Sequence, residues 1–217
     1  MSARTADYLD AIEHLPDGAT LVLHRFSWDD YERLLEDLRE RPHLRVSYDR
    51  GKVEIMSPLP EHEEYGRFID DLVRAFSEAH DLKLQNYGSA TWKRQRLARG
   101  AEPDACYYVR NADRVIGRHR FDLESDPPPD IVVEIDITNE SLSKFPIYAT
   151  LSVPEIWRYD GTTMQFYELA GDAYREISQS RSLVGLIPAM LQTALEESKT
   201  KGQTEALRTF RRQWSSK

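Results

Sequence analysis

Cysteine is nearly missing from this chain. Its one thiol, Cys106, cannot close an intrachain disulfide, so stability must come from a packed core, and a reducing, cytoplasmic setting is the expectation. Long apolar runs are missing as well. No stretch approaches the roughly 18 apolar residues that a membrane span requires. Met1 to Asp10 mixes charges and holds no apolar h-region, so no signal peptide is expected. Basic charge is in deficit: 29 Lys and Arg face 37 Asp and Glu, a net charge of -8. That balance argues against non-specific coating of nucleic acid, which needs a broad basic footprint. It leaves room for an enzyme that gathers carboxylates around a metal and keeps only local basic patches. The six histidines, His14, His24, His43, His62, His80 and His119, show no zinc-ligand spacing. Neither a phosphate-binding G-x-x-x-x-G-K-[ST] loop nor a G-x-S-x-G nucleophile turn occurs, which excludes an ATP-driven motor and disfavours serine hydrolase chemistry.

What is present is ordinary globular material: 217 residues, 40% hydrophobic and 30% charged, with a mean hydropathy of -0.62. This suffices for one large domain with extensions. Ser27 to Arg41 reads as a helix, capped by Ser27 and ended by Pro42. Leu44 to Tyr48 and Lys52 to Met56 read as a hairpin around Asp49-Arg50-Gly51. Pro58 to Ala79 is the clearest helix, with Tyr65, Phe68, Leu72, Phe76 and Ala79 along one side. Strands are expected over Leu82 to Tyr87, Thr91 to Leu97, Pro103 to Val109, Ile131 to Ile137, Glu155 to Tyr159, Met164 to Leu169 and Tyr174 to Ser178. Asp113 to Pro129 reads largely as a surface loop. Glu140 to Leu151 reads as a helix with an awkward Pro146, and Pro188 to Lys199 and Thr204 to Trp214 as closing helices. The order predicts a mixed α/β domain around one sheet. It divides into an N-terminal helical extension (1–43), a core (44–180) and C-terminal helices packed on that core (181–217).

Chemistry concentrates on the strand Ile131 to Ile137. Side chains alternate faces along a strand, so Ile131, Val133, Ile135 and Ile137 share an apolar face, and Val132, Glu134 and Asp136 share the other. Two carboxylates there are costly unless solvated, paired or bound to a metal. A wet edge strand would explain them, yet the Ile and Val content favours a central strand and a functional reading. Asp104 opens another strand, with Glu102 on the same side. A Pro-Asp pair alone is commonly a turn, but Asp104 followed by Glu134 suits a hard divalent cation such as magnesium. Glu61, in the first turn of the long helix, falls on the stripe that points to the sheet. It reads equally well as a dipole-complementing acid. Lys144 could orient water and offset negative charge beside a phosphate; taken alone, it reads as a surface lysine. Lys93, Arg94, Arg96 and Arg99 could hold phosphates or line a solvated strand edge. The basic tail after Lys199, with Leu207, Phe210 and Trp214 at helical spacing, reads as a packing or oligomer-contact helix, which leaves a homodimer open.

Four segments, IMSPLPEHEEYGR (Ile55 to Arg67), EPDACYYV (Glu102 to Val109), PDIVVEI (Pro129 to Ile135) and VPEIWRYD (Val153 to Asp160), resemble the Uma-two family of restriction-endonuclease-like proteins. Lys144, four before Tyr148, belongs to the same pattern. Together the four segments are specific, though each alone would be weak. The family in turn resembles the P-D…(D/E)-x-K nucleases. The resemblance implies a restriction-endonuclease-like fold, a central mixed sheet flanked by helices. It also implies magnesium or manganese, and hydrolysis of phosphodiester bonds in nucleic acid, DNA first. By position it makes Asp104 the first acid, Glu134 the second, the carbonyl of Ile135 a further ligand and Glu61 the helix acid. The lysine expected two residues after Glu134 is replaced by Asp136. Lys144 would then supply the ammonium and Asp136 an additional ligand. The alternatives are hydrolysis of RNA, or a decayed nuclease fold that only binds nucleic acid or protein.

Overall fold

The computed structural model describes residues 3–39, 43–137 and 144–214. The chain runs α1 (Ala3–Glu13), β1 (Thr20–His24), α2 (Trp28–Asp37), β2 (Arg45–Asp49), β3 (Lys52–Met56), α3 (Pro60–Ala79), β4 (Gln85–Asn86), β5 (Trp92–Arg94), β6 (Arg99–Ala101), β7 (Ala105–Tyr108), α4 (Ala112–Val115), β8 (Ile131–Ile135), α5 (Phe145–Thr150), β9 (Glu155–Tyr159), β10 (Met164–Ala170), β11 (Ala173–Ile177), α6 (Pro188–Lys201) and α7 (Gln203–Arg212). No described helix is long and apolar enough to cross a membrane.

The mixed α/β class expected from the sequence is what the chain adopts, but its strands divide into two sheets. One has the order β1-β3-β2-β6-β5, the other β11-β10-β9-β8-β7-β4. The cause of the division lies between Thr91 and Ala101. The expected strand stops at Arg94, a single 3-10 turn covers Gln95–Leu97, and Ala98 takes φ 48. That left-handed residue reverses the chain, so β6 returns to pair with both β5 and β2. The N-terminal segment is likewise not purely helical, because β1 pairs with β3 from Thr20↔Met56 to His24↔Lys52.

The second sheet positions the site. Its pairings are antiparallel except β8 with β9, which are parallel and joined through α5. A parallel pair needs such a crossover, since a tight turn cannot connect it. The alternation read in β8 holds. Ile131, Val133 and Ile135 pack with α3, α6 and α7 in one core, and Val132 packs with Ile147, Tyr148 and Leu151 of the α5 region in another. A third core lies between α2 and the first sheet. Both faces of β8 are therefore covered, and each of its residues is buried. Glu134 and Asp136 are buried too, which rules out the wet-edge explanation.

The first four residues of the helix expected from Glu140, 140–143, lie outside the described residues, as does Pro42. The visible helix starts at Phe145, so Pro146 stands in the first turn, where a missing N–H breaks no helical hydrogen bond.

Candidate active site

The C-terminal end of β8, the residue entering β7 and the start of α5 meet in one place. Register Ala105↔Val133 sets Asp104 opposite Glu134. Asp104 N–H donates to the Val133 carbonyl at 3.0 Å, and the Ile135 N–H donates to Asp104 Oδ2 at 2.8 Å. Ile135 thus enters the site by its backbone. Its N–H and carbonyl point to the same strand edge, so the carbonyl also lies on the Asp104 side.

Glu134 is clamped from a single helical face. Lys144 Nζ donates to Oε2 at 2.7 Å, and the Tyr148 hydroxyl donates to Oε1. The two donors are four residues apart, one turn of α5, and so stand side by side. The Glu134 carboxyl is pushed up to about 7, chiefly by burial and further by the charge of Asp104, against the pull of Lys144 and Tyr148. Burial pulls the Lys144 ammonium down, but Glu134 and Asp104 more than offset this, so its pKa stands above the ordinary value.

The other acids also have cations. Arg45 reaches Asp104 Oδ1 with Nε at 3.5 Å and Glu63 Oε1 with Nη2 at 2.6 Å. Arg158, which the parallel register sets beside Glu134, donates to Asp136. The carboxylates therefore stand in a set of three ion pairs: Asp104 with Arg45, Glu134 with Lys144, Asp136 with Arg158.

Asp136 shares its face with Glu134 but is engaged by Arg158, and no group of three His, Cys, Asp or Glu that could hold a metal is present among the described residues. Glu61 is exposed and does not point at the sheet. The buried residues of α3 include His62, Ile69, Val73 and Phe76 as well as Phe68 and Leu72. Adding Ile69 and Val73 turns the centre of the stripe away from Glu61 and onto His62. Glu63 and Asp70, on the flank beyond His62, are the partly buried α3 acids, and both find partners on neighbouring strands. Glu63 meets Arg45, and Asp70 Oδ1 accepts from the Tyr107 hydroxyl at 2.5 Å.

The four basic residues after Trp92 are all committed to neighbours. Lys93 meets Glu32, Arg94 donates to the Leu123 carbonyl, Arg96 meets Glu124 and Arg99 meets Asp49. Arg45 and Arg158 were passed over in the sequence. Their signal was available: each is an arginine inside a strand whose neighbours are apolar or aromatic, a place where only a buried partner makes the charge tolerable.

The family model for Uma2, described as "Putative restriction endonuclease", matches residues 28–198. The chain belongs to the Uma2 family. The match takes in the whole second sheet, the first sheet except β1, α3 and α5, and every residue of the Uma2 chain discussed above as a site candidate. Among solved structures, the Uma2 chain is similar to a putative nuclease from Anabaena variabilis, with 14% identity over 69% of this chain and 90% of that one and a TM-score of 0.49. No curated protein matches.

The donor set suits a hard divalent cation. Asp104 and Glu134 offer carboxylate oxygens from adjacent strands, and each oxygen has a second lone pair beyond the contact it already makes. Asp104 Oδ1 meets Arg45 only at ion-pair distance, 3.5 Å.

Proposed function

We propose that this Uma2 protein is a metal-dependent endonuclease that hydrolyses phosphodiester bonds in DNA, acting in the cytoplasm, the compartment that its single buried thiol suits. The observation that carries this reading is the buried Glu134–Lys144 pair at 2.7 Å with Asp104 opposite it on the adjoining strand. Few structural needs explain a lysine and a carboxylate buried together, since an apolar pair of similar volume would often serve stability as well or better.

In this reading Asp104 and Glu134, with the Ile135 carbonyl, hold magnesium or manganese. The bound cation would polarise the phosphoryl oxygen and lower the pKa of the attacking water. Lys144 stays an ammonium, because the carboxylates around it raise its pKa. It therefore donates to the water and offsets charge building on phosphorus, and it does not act as a base. Tyr148 holds the second oxygen of Glu134 and so fixes the orientation of the carboxylate. The reaction joins the water oxygen to phosphorus and releases the sugar oxygen, with protons exchanged with solvent. Asp136 and Glu61 play supporting parts at most: one is tied to Arg158 and the other faces solvent.

The test is incubation of supercoiled plasmid with magnesium or manganese, beside Glu134→Gln and an RNA substrate. Nicked or linear plasmid from the wild type, and none from the variant, is the expected result. Cleavage of RNA alone would move the substrate, and an inert wild type in both metals would reject the hydrolase. One observation favours the second reading, a decayed fold that binds without cutting: each of the three acids already carries its own cation.

A further inference from the structure

Glu134, Lys144 and Asp136 are buried, with 1%, 7% and 8% of their surface exposed. A polymer cannot reach them through the covered faces of β8. Asp104, whose side chain is 4% exposed, instead borders an open cavity of about 190 Å³ between α3 and the 88–89 turn, lined also by Arg45, His62, Glu63, Arg67 and Asp70. We propose that this cavity is where a phosphodiester of the nucleic-acid strand enters, held by Arg45 and Arg67. The inference rests on reading Asp104 as a site acid.

The chemistry of the walls selects the ligand. Arg45 is buried, and its guanidinium is set in place by Glu63 at 2.6 Å and by the carbonyls of His43 and Leu44 at 3.3 and 3.5 Å. A guanidinium fixed in advance loses little entropy when it meets an anion and presents a fork that matches two phosphate oxygens. Arg67 is exposed and meets Glu63 only at 3.8 Å, so it is free to turn toward a strand outside. Arg67, Glu63, Arg45 and Asp104 form a line of alternating charge from solvent to the site. A phosphate oxygen can replace Glu63 as the partner of either arginine. Gly66 leaves its wall bare: a Cβ there would only touch Ile135 Cδ1 at 3.7 Å. An anion suits the arginines and a cation suits Asp104, and a phosphodiester with a bound divalent ion brings both.

The experiment is fluorescence anisotropy of a labelled DNA duplex with the full chain in calcium, across a salt series. Each lost phosphate contact should lower the slope of log affinity against log salt by about 0.9. Arg67→Gln should lose about one such unit and bind several-fold more weakly. Arg45→Lys keeps the charge and loses the fork, and it too should bind more weakly. Arg175→Gln, on the edge strand β11, should behave as wild type. Unchanged slope and affinity in both site variants, or a wild type that binds no duplex at any salt, would overturn the proposal. The plasmid assay is read separately. Cleavage with unaltered salt slopes leaves the hydrolase standing and removes this entry route; altered slopes without cleavage do the reverse.

Discussion

At the scale of single residues, the site is a balance of buried charges. Lys144 is the cation on which Glu134 depends, and removing one partner of a buried pair leaves the other charge uncompensated. Lys144→Ala should therefore abolish plasmid cleavage and also lower stability, by about 3 kcal/mol, the lower end for such losses because Glu134 can take up a proton. Metal affinity should be kept or slightly raised, since a positive charge near the donors is gone. Full cleavage by this variant would return Lys144 to a structural role. Glu155 makes a contrasting case. It is buried, forms no ion pair within 4.0 Å among the described residues, and accepts from Trp157 Nε1 at 2.6 Å, Arg181 N–H at 2.9 Å and Ser182 N–H at 3.2 Å. Burial raises its pKa against the pull of these donors. Between its unfolded value and that raised value, the folded state holds a proton that the unfolded chain has released. Stability contributed by Glu155 is thus full below the unfolded value and is lost as pH rises through the folded one. Urea midpoints from acidic to neutral pH should decline in the wild type and decline less steeply in Glu155→Gln, where the raised carboxyl of Glu134 still contributes; parallel curves would contradict this.

At the scale of elements, what was legible depended on how local the signal was. The hairpin β2–β3 and helix α3 match their sequence patterns nearly to the residue, because turn chemistry and apolar periodicity act within a few residues. The capping box of α2 is similar: Asp30 N–H donates to Ser27 Oγ at 3.1 Å, and Ser27 N–H donates to Asp30 Oδ2 at 3.2 Å. The β5–β6 reversal was missed because Ala98, in a left-handed conformation, carries no Gly or Asn signal. Its partner strand explains another constraint. A Cβ on Gly100 would lie 2.5 Å from the hydroxyl of Tyr31 and 3.1 Å from its Cζ, and Tyr31, on the buried face of α2, is wholly buried. Gly100→Ala should cost about 1–3 kcal/mol through forced repacking, read from the denaturant midpoint. A neutral result would mean that α2 can shift on the first sheet.

At the scale of the whole molecule, the two sheets bring β2 and α3 to the open side of Asp104, while α5 closes the side of Glu134. Binding of a cation to the folded chain alone should stabilise all of it, by about 2.7 kcal/mol at a hundred times the dissociation constant. Millimolar magnesium or manganese should therefore raise the melting temperature, and Glu134→Gln should blunt that rise. A wild type whose melting temperature ignores both metals would support the binding-only reading over any hydrolase.

By itself the sequence determined the mixed α/β class, the face that Glu134 shares with Asp136, and the membership that its four segments signalled. These follow from periodicity and from short motifs, in which cause and residue lie close together in the chain. Tertiary structure alone decided which cation meets which acid. Arg45 reaches Asp104 across 59 positions, and Arg158 is brought to Asp136 by a parallel register. It also decided that Glu61 is exposed while Glu63, on the flank of α3, meets Arg45 of β2, because the strands packed beside a helix decide which of its flanking side chains find a partner. Contacts between distant segments depend on register and packing, and neither is written in any one stretch of residues.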